Sequence, residues 1–201
     1  KRFYVLTLVL FYSTAFCLQG QIKNFTLPTL GTPWIAQFTK LQYKAANQNW
    51  GIATHPNGFI YVANSDGLLE FDGQAWSLYP FPHKAMMRAL AIGEDGKIYT
   101  GGQGEFGFWV KDIFGKLQYS SISSTLAPAL TYKDEIWKIV IHKNRVLFQS
   151  FSQVHIYEHE KVKSLTGAGQ PFMFLHQANN RIFIEKIPDG LFELQDDKLV
   201  A

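Results

Sequence analysis

The 201-residue chain is 47% hydrophobic and 17% charged, the balance of a globular protein rather than a disordered or fibrous one. Its formal net charge of +3 is too small for a nucleic-acid-binding surface, and a single cysteine, Cys17, excludes both an intrachain disulfide framework and a cysteine-cluster zinc site. Aromatic residues reach 15% alongside 16 glycines and 8 prolines, which suits strands joined by tight turns better than a helix bundle.

The first twenty residues read as an address. Lys1 and Arg2 are basic, Phe3 to Leu10 is almost continuously apolar, Phe11 to Phe16 continues the run less purely, and it breaks at Gln19-Gly20-Gln21. A basic start, a short apolar core and a small residue at the break describe a secretory signal peptide over 1–20, cleaved near Gly20 and Gln21 or, alternatively, after Cys17. A membrane anchor would need about 20 apolar residues; this run is shorter and carries Thr7, Ser13 and Thr14. The mature chain is then near neutral, exported and free of cysteine, so its stability outside the cytoplasm must come from a substantial core. Asn24-Phe25-Thr26 matches a glycosylation acceptor, too short a match to carry weight. Residues 21–49 form a lead-in segment.

Beyond it the sequence repeats. Units beginning at Trp50, Arg88, Trp137 and Phe172 share one internal order, with starts 38, 49 and 35 residues apart. An alternating segment comes first (Trp50, Ile52; Arg88, Leu90, Ile92; Trp137, Ile139, Ile141; Phe172, Phe174). A turn follows at Asn57-Gly58, Asp95-Gly96, Asn144 or Asn179-Asn180, then a β-rich triplet starting at Ile60, Ile98, Val146 or Ile182. A third strand carries Phe71, Trp109, Tyr157 or Phe192, and a short fourth, such as Trp76 to Tyr79, closes the unit. Period-2 alternation with Asx-Gly turns predicts antiparallel strands. Four strands per unit of about 40 residues is the pattern of β-propeller blades. The predicted fold is all-β: four-stranded antiparallel blades over roughly 50–87, 88–136, 137–171 and 172–201, an incomplete ring of about four. An irregular β-sandwich would explain the strands but not their fixed offsets.

The stretches Asn47 to Ile52, Ile60 to Asn64, Gly67 to Gly73 and Gly101 to Phe108 resemble the two-component regulator propeller repeat. The likeness covers roughly Tyr43 to Ala201, is strongest in the first two units and weakens in the third, where the turn glycine is replaced. In that family the propeller is the periplasmic sensing region of a bacterial membrane receptor. A triple-tyrosine β-sandwich, a transmembrane helix and a histidine kinase or helix-turn-helix output follow it. The resemblance implies the N-terminal piece of such a receptor, truncated at its C-terminus and non-catalytic. Its partners would be a small-molecule or oligosaccharide ligand, the rest of its own receptor chain and, in the full-length protein, a second copy. A secreted propeller enzyme acting on polysaccharide and an adhesion or scaffold module are the alternatives.

Two motifs that suggest chemistry belong to the repeat instead. Gly102-Gln103-Gly104-Glu105-Phe106-Gly107 satisfies G-x-G-x-x-G, but Phe108-Trp109-Val110 follows as strand, whereas a dinucleotide site needs a helix N-terminus there. His155-Ile156-Tyr157-Glu158-His159 matches a zinc pattern that works on a helix; along a strand its two histidines lie ~13 Å apart at ~3.3 Å per residue. Neither a metal nor a cofactor is expected. The candidate ligand residues are positional. First-strand starts and second-to-third-strand loops meet at one rim of a propeller, which brings together Trp50, Arg88 and Trp137 with Asn64, Asp66, Gln103 and Glu105. Arg88 breaks an otherwise apolar face and suits a carboxylate or sulfate, or else a salt bridge to Glu105 or another loop acid. The two tryptophans suit stacking on sugars or packing between blades. The longer second interval predicts an enlarged rim loop over Ser120 to Glu135.

Overall fold

A computed structural model describes residues 35–127, 129–131 and 133–201. The predicted leader, its cleavage at Gly20 and Gln21, Cys17, the Asn24 acceptor and most of the lead-in lie outside these residues. Phe38 to Ala201 forms one unit built from four separate four-stranded antiparallel sheets, each a simple meander in chain order. Blade 1 comprises β1 (Asn49–Thr54), β2 (Ile60–Asn64), β3 (Gly67–Phe71) and β4 (Trp76–Pro80). Blade 2 comprises β5 (Met87–Ile92), β6 (Ile98–Gly102), β7 (Glu105–Lys111) and β8 (Leu117–Ser121). Blade 3 comprises β9 (Lys138–His142), β10 (Arg145–Gln149), β11 (Gln153–Glu158) and β12 (Lys161–Thr166). Blade 4 comprises β13 (Phe172–Ala178), β14 (Arg181–Lys186), β15 (Gly190–Gln195) and β16 (Lys198–Val200).

The turns follow from the residues that make them. Gly96 has φ 75° while the Asp95 carboxylate accepts from the Lys97 amide at 3.1 Å, and Asn57 does the same for Phe59 at 3.0 Å. Asn179 and Asn180 both adopt positive φ, as a two-residue hairpin with the right twist requires. Register repeats as well: Ile60 stands opposite Phe71, Ile98 opposite Trp109, and Val146 opposite Tyr157. In blade 4 Phe192 stands opposite Ile184 instead, one pleat nearer the connecting loop. The expected equivalence of Phe192 with Trp109 is therefore shifted by one pleat.

Strands alone bury only one edge; the blades are held by face-to-face packing. Tyr61, Ala63 and Leu68 of blade 1 pack against Ile98, Trp109 and Leu117 of blade 2. Tyr99 and Phe106 meet Ile139, Val146 and Phe148 between blades 2 and 3, and Leu147 and Val154 meet Leu175 and Ile182 between blades 3 and 4. The first strands of successive blades lie side by side, β1 on β5, β5 on β9 and β9 on β13. Among the described residues no helix is long and apolar enough to cross a membrane.

The two motifs set aside above resolve into this packing. Gln103 and Gly104 form the tight β6–β7 hairpin, with Gly104 at φ 65°. A Cβ on Gly102 would lie 2.0 Å from the Met86 carbonyl oxygen, so the glycine run records backbone contact, not phosphate binding. His155 is 1% exposed and stacks on Phe106, with ring centres 5.1 Å apart, while Nδ1 lies 2.7 Å from the Ser164 hydroxyl oxygen. Burial penalises its charged form and pulls its pKa down from 6.5 to about 4. Between those two values only the unfolded chain takes up this proton, so the neutral ring's contribution is complete above pH 6.5 and is lost as pH falls towards 4. At ~1.36 kcal/mol per pH unit the loss approaches about 3 kcal/mol. Denaturant unfolding of wild type and His155→Gln across pH 4–7 should show a shallower acid slope in the variant; parallel curves would remove His155 as the cause.

Candidate functional site

Blades 1 and 2 begin with the same irregularity, and Trp50 and Arg88 sit on it. Register slips between Asn49 and Gly51 in β1 and between Met87 and Ala89 in β5, leaving Trp50 and Arg88 as the extra residues of β-bulges. Trp137 occupies the matching place just before β9, its amide donating to the Gln149 carbonyl at 2.8 Å. A bulge re-aims the side chain of its extra residue. Two bulges and the matching approach to β9 aim three side chains of adjacent first strands together.

They meet around the guanidinium of Arg88. Its central carbon lies 4.0 Å from the Trp50 ring centre and 5.0 Å from that of Trp137. The two indoles, one from blade 1 and one from blade 3, are edge-to-face at 6.2 Å. Cation–π contacts of this kind contribute from about 0.5 to about 2 kcal/mol each when shielded from water. Trp50 Nε1 donates to Ser65 Oγ at 3.0 Å, and Trp137 also packs on Phe151 at 5.6 Å. At the edge of the guanidinium, one terminal nitrogen of Arg88 lies 3.5 Å from Glu135 Oε1, with the two side chains 10% and 18% exposed. The same Glu135 oxygen accepts from Gln103 Nε2 at 2.7 Å. Arg88 Nε is buried without a hydrogen-bond partner.

The remaining candidates are placed differently. Asn64 is fully buried: its side chain bonds the backbone of Ala46 and Asp66 and the side chain of Asn49. It ties the lead-in to blade 1 and presents nothing to solvent. Glu105 is 7% exposed, and its Oε1 accepts from Tyr119, Ser121 and Ser123 at 2.9, 2.7 and 2.7 Å. Burial and the Glu105 charge together raise the Tyr119 pKa far above its ordinary value, which keeps that phenol a donor. The loop acid that Arg88 meets is thus Glu135, not Glu105. Asp66 is exposed on the β2–β3 turn. Gln103 joins the cluster through Glu135.

The enlarged loop lies two residues further along the chain than its sequence suggests. Ser120 and Ser121 pair with Phe108 and Gly107 and complete β8, so the connection runs from Ile122 to Trp137. Its last residues return along the β6–β7 hairpin: Gly104 N donates to Asp134 O at 2.9 Å and Ile136 N to Gly102 O at 3.0 Å. This return delivers Glu135, a residue outside the repeated positions and therefore without a repeat signal to find it by. Among the described residues no group of three or more His, Cys, Asp or Glu side chains is placed to hold a metal ion.

No protein-family model and no curated protein matches the sequence. Among solved structures, a catalytically inactive variant of virginiamycin B lyase from Staphylococcus aureus with quinupristin is similar, with TM-score 0.61 at 9% identity over 77% of this chain and 55% of the other. The WD40 β-propeller domain of Doa1 is similar with TM-score 0.56 at 11% identity, over 76% of this chain and 53% of the other. So is the extracellular domain of the putative hybrid two-component system BT3049 from B. thetaiotaomicron, with TM-score 0.58 at 15% identity, over 78% of this chain and 23% of that one. The chain thus spans little more than half the length of the first two and about a quarter of the third. At these identities the likeness is one of fold: four consecutive β-propeller blades.

Proposed function

We propose that these blades belong to the ligand-sensing propeller of a bacterial membrane signalling receptor, facing the periplasm and catalysing nothing themselves. The observation that carries the reading is the meeting of three blades on one buried cation. Arg88 is reached by an indole from the blade on either side and by an acid from the longest loop, so whatever displaces Glu135 acts on three blades at once. A receptor needs that kind of coupling, because a ligand shifts an equilibrium only through contacts that differ between two arrangements. The likeness to an extracellular domain of a hybrid two-component system supports the same reading. A secreted polysaccharide-acting enzyme would need clustered acids or histidines at this rim, and the acids Glu105 and Glu135 are instead engaged by hydroxyls, Gln103 and Arg88.

Calorimetric titration of the complete ectodomain with a library of neutral and acidic oligosaccharides tests the proposal. A binder is expected, with affinity reduced about tenfold or more by Arg88→Ala and by Arg88→Lys, since lysine keeps the charge but loses the planar fork. Unchanged affinity in both variants would take Arg88 out of the site. Turnover of any library member would replace sensing by catalysis.

A further inference from the structure

At the far end of the first strands from Arg88, the gap between successive blades is filled by the residue that follows Ile60, Ile98 or Val146. In blade 1 that residue is Tyr61, buried, with its hydroxyl donating to Glu70 at 2.6 Å. In blade 2 it is Tyr99, also buried, donating to Asp95 at 3.1 Å. In blade 3 it is Leu147. The residue beyond the end of the first strand varies as well. His55 sets its ring edge-on to Tyr61 with centres 6.1 Å apart, and its Nε2 lies 3.1 Å from the Gly96 carbonyl oxygen of blade 2. Blade 2 has Gly93 there, where a Cβ would come 2.7 Å from the Tyr99 ring. Blade 3 has His142, paired with Arg145. Blade 1 thus supplies an imidazole and a phenol to its gap, blade 2 a phenol alone, and blade 3 an imidazole alone.

The missing ring leaves space. The cavity beside Tyr99, between blades 2 and 3, measures about 180 Å³, whereas the one beside Leu147, between blades 3 and 4, measures about 340 Å³. His142, Arg145 and Leu147 line the larger one from blade 3, and Ile182, Leu194 and Asp196 from blade 4. Its inner end is apolar, because Leu147 and Ile182 belong to the core between these blades and Leu194 packs on it. Its mouth is polar. Arg145 is held there by Glu158 at 3.5 Å and by Asp197. His142 Nδ1 is buried with no hydrogen-bond partner. Burial, with the charges of Lys143 and Arg145, lowers the His142 pKa from 6.5 and favours the neutral ring.

We propose that this cavity binds a small free phenol, its ring in the place that Tyr61 and Tyr99 hold in the earlier blades and its hydroxyl on His142 Nδ1. The site is separate from the Arg88 cluster and does not rest on the sensing reading. Three features choose the ligand class. An aromatic ring is what the repeat itself places in this gap. The Leu147, Ile182 and Leu194 floor suits the body of such a ring, whereas a fully hydroxylated sugar would lose its hydrogen bonds to water there. A hydroxyl donates to a bare ring nitrogen and accepts from a protonated one, so it satisfies Nδ1 in either tautomer. A carboxylate only accepts, and it would enter beside Glu158, Asp196 and Asp197. The volume lies within the range of small-molecule sites, which begins at about 300 Å³.

Titration of the protein with p-cresol, followed by NMR, is the test. Saturable shifts are expected, with intermolecular Overhauser contacts from the cresol ring to the Leu147 methyls and the His142 ring. Leu147→Tyr restores the side chain of the earlier blades; it is expected to keep the melting temperature at or above that of wild type and to lower cresol affinity about tenfold or more, because the new ring fills the same space. Benzoate and methyl glucoside are expected to bind more weakly than p-cresol, as is the tripeptide Gly-Tyr-Gly, whose backbone would lie against the charged mouth. No saturable binding of p-cresol, or contacts located elsewhere in the wild-type protein, would overturn the proposal whatever the variant does. Undiminished binding to a folded Leu147→Tyr variant would do the same. Tighter binding of benzoate or the glucoside would replace the ligand class, and tighter binding of the tripeptide would make a partner's tyrosine, not a free phenol, the occupant.

Discussion

Truncating Phe106 to alanine is expected to lower the unfolding free energy by about 3–5 kcal/mol. Phe106 is fully buried between blades 2 and 3, stacked on Phe148 with centres 4.4 Å apart and on His155 at 5.1 Å. Alanine removes the ring's transfer free energy and leaves a cavity that the rigid β-sheets on either side cannot collapse into. Two aromatic stacks, at about 0.5–1.5 kcal/mol each beyond area burial, go with it. Phe106→Leu keeps most of the volume and should cost much less. Urea unfolding of the two variants separates the effects, because a packing defect moves the midpoint without changing the slope. A loss under about 1 kcal/mol for Phe106→Ala would mean that the blade 2–blade 3 contact is not what holds the arc together.

Phe106 also shows how far the sequence could be read. It lies inside a string that matches a phosphate-binding motif, but Phe108-Trp109-Val110 continue as strand, so the segment reads as the inter-strand loop of the repeat. The structure agrees at Gly102 and Gly104. Strand identity, turn positions and the opposition of Ile60, Ile98 and Val146 to aromatic third-strand residues were legible because alternation and Asx-Gly turns are local properties. What depends on partners far along the chain was not. Asn64 reads as a rim polar residue, yet it is consumed by Ala46 and Asn49, which the lead-in folds back onto it. Glu105 reads as a partner for Arg88, but a tyrosine and two serines reach it first. Ser120 and Ser121 read as loop because the interval before the third unit is long, yet they pair with Phe108 and Gly107 and complete β8. Glu135 sits in the one connection that the repeat does not constrain.

The Arg88–Glu135 contact supplies the second large effect. Breaking a buried ion pair from one side strands the other charge, at a cost of about 3–5 kcal/mol when burial is complete. At 10% and 18% side-chain exposure the pair falls near the lower end of that range, so Arg88→Met should destabilise by about 3 kcal/mol. Glu135→Gln keeps an acceptor for Gln103 but leaves the guanidinium uncompensated between its two indoles, and should cost less because cation–π attraction to Trp50 and Trp137 persists. Together the two substitutions should cost less than the sum of each alone, with a coupling of about 1–3 kcal/mol in a double-mutant cycle. Tryptophan fluorescence during denaturant unfolding reports the local change, since Trp50 and Trp137 lose the cation packed on their rings. Coupling below about 0.5 kcal/mol would mean that Glu135 is not what holds Arg88. The indoles alone would then fix the guanidinium, its polar edge would be free at no cost in stability, and an acidic ligand could take that edge without first displacing the loop. Strong coupling has the opposite consequence: any anion that binds Arg88 must release Glu135, and with it the return of the Ile122 to Trp137 connection along the β6–β7 hairpin.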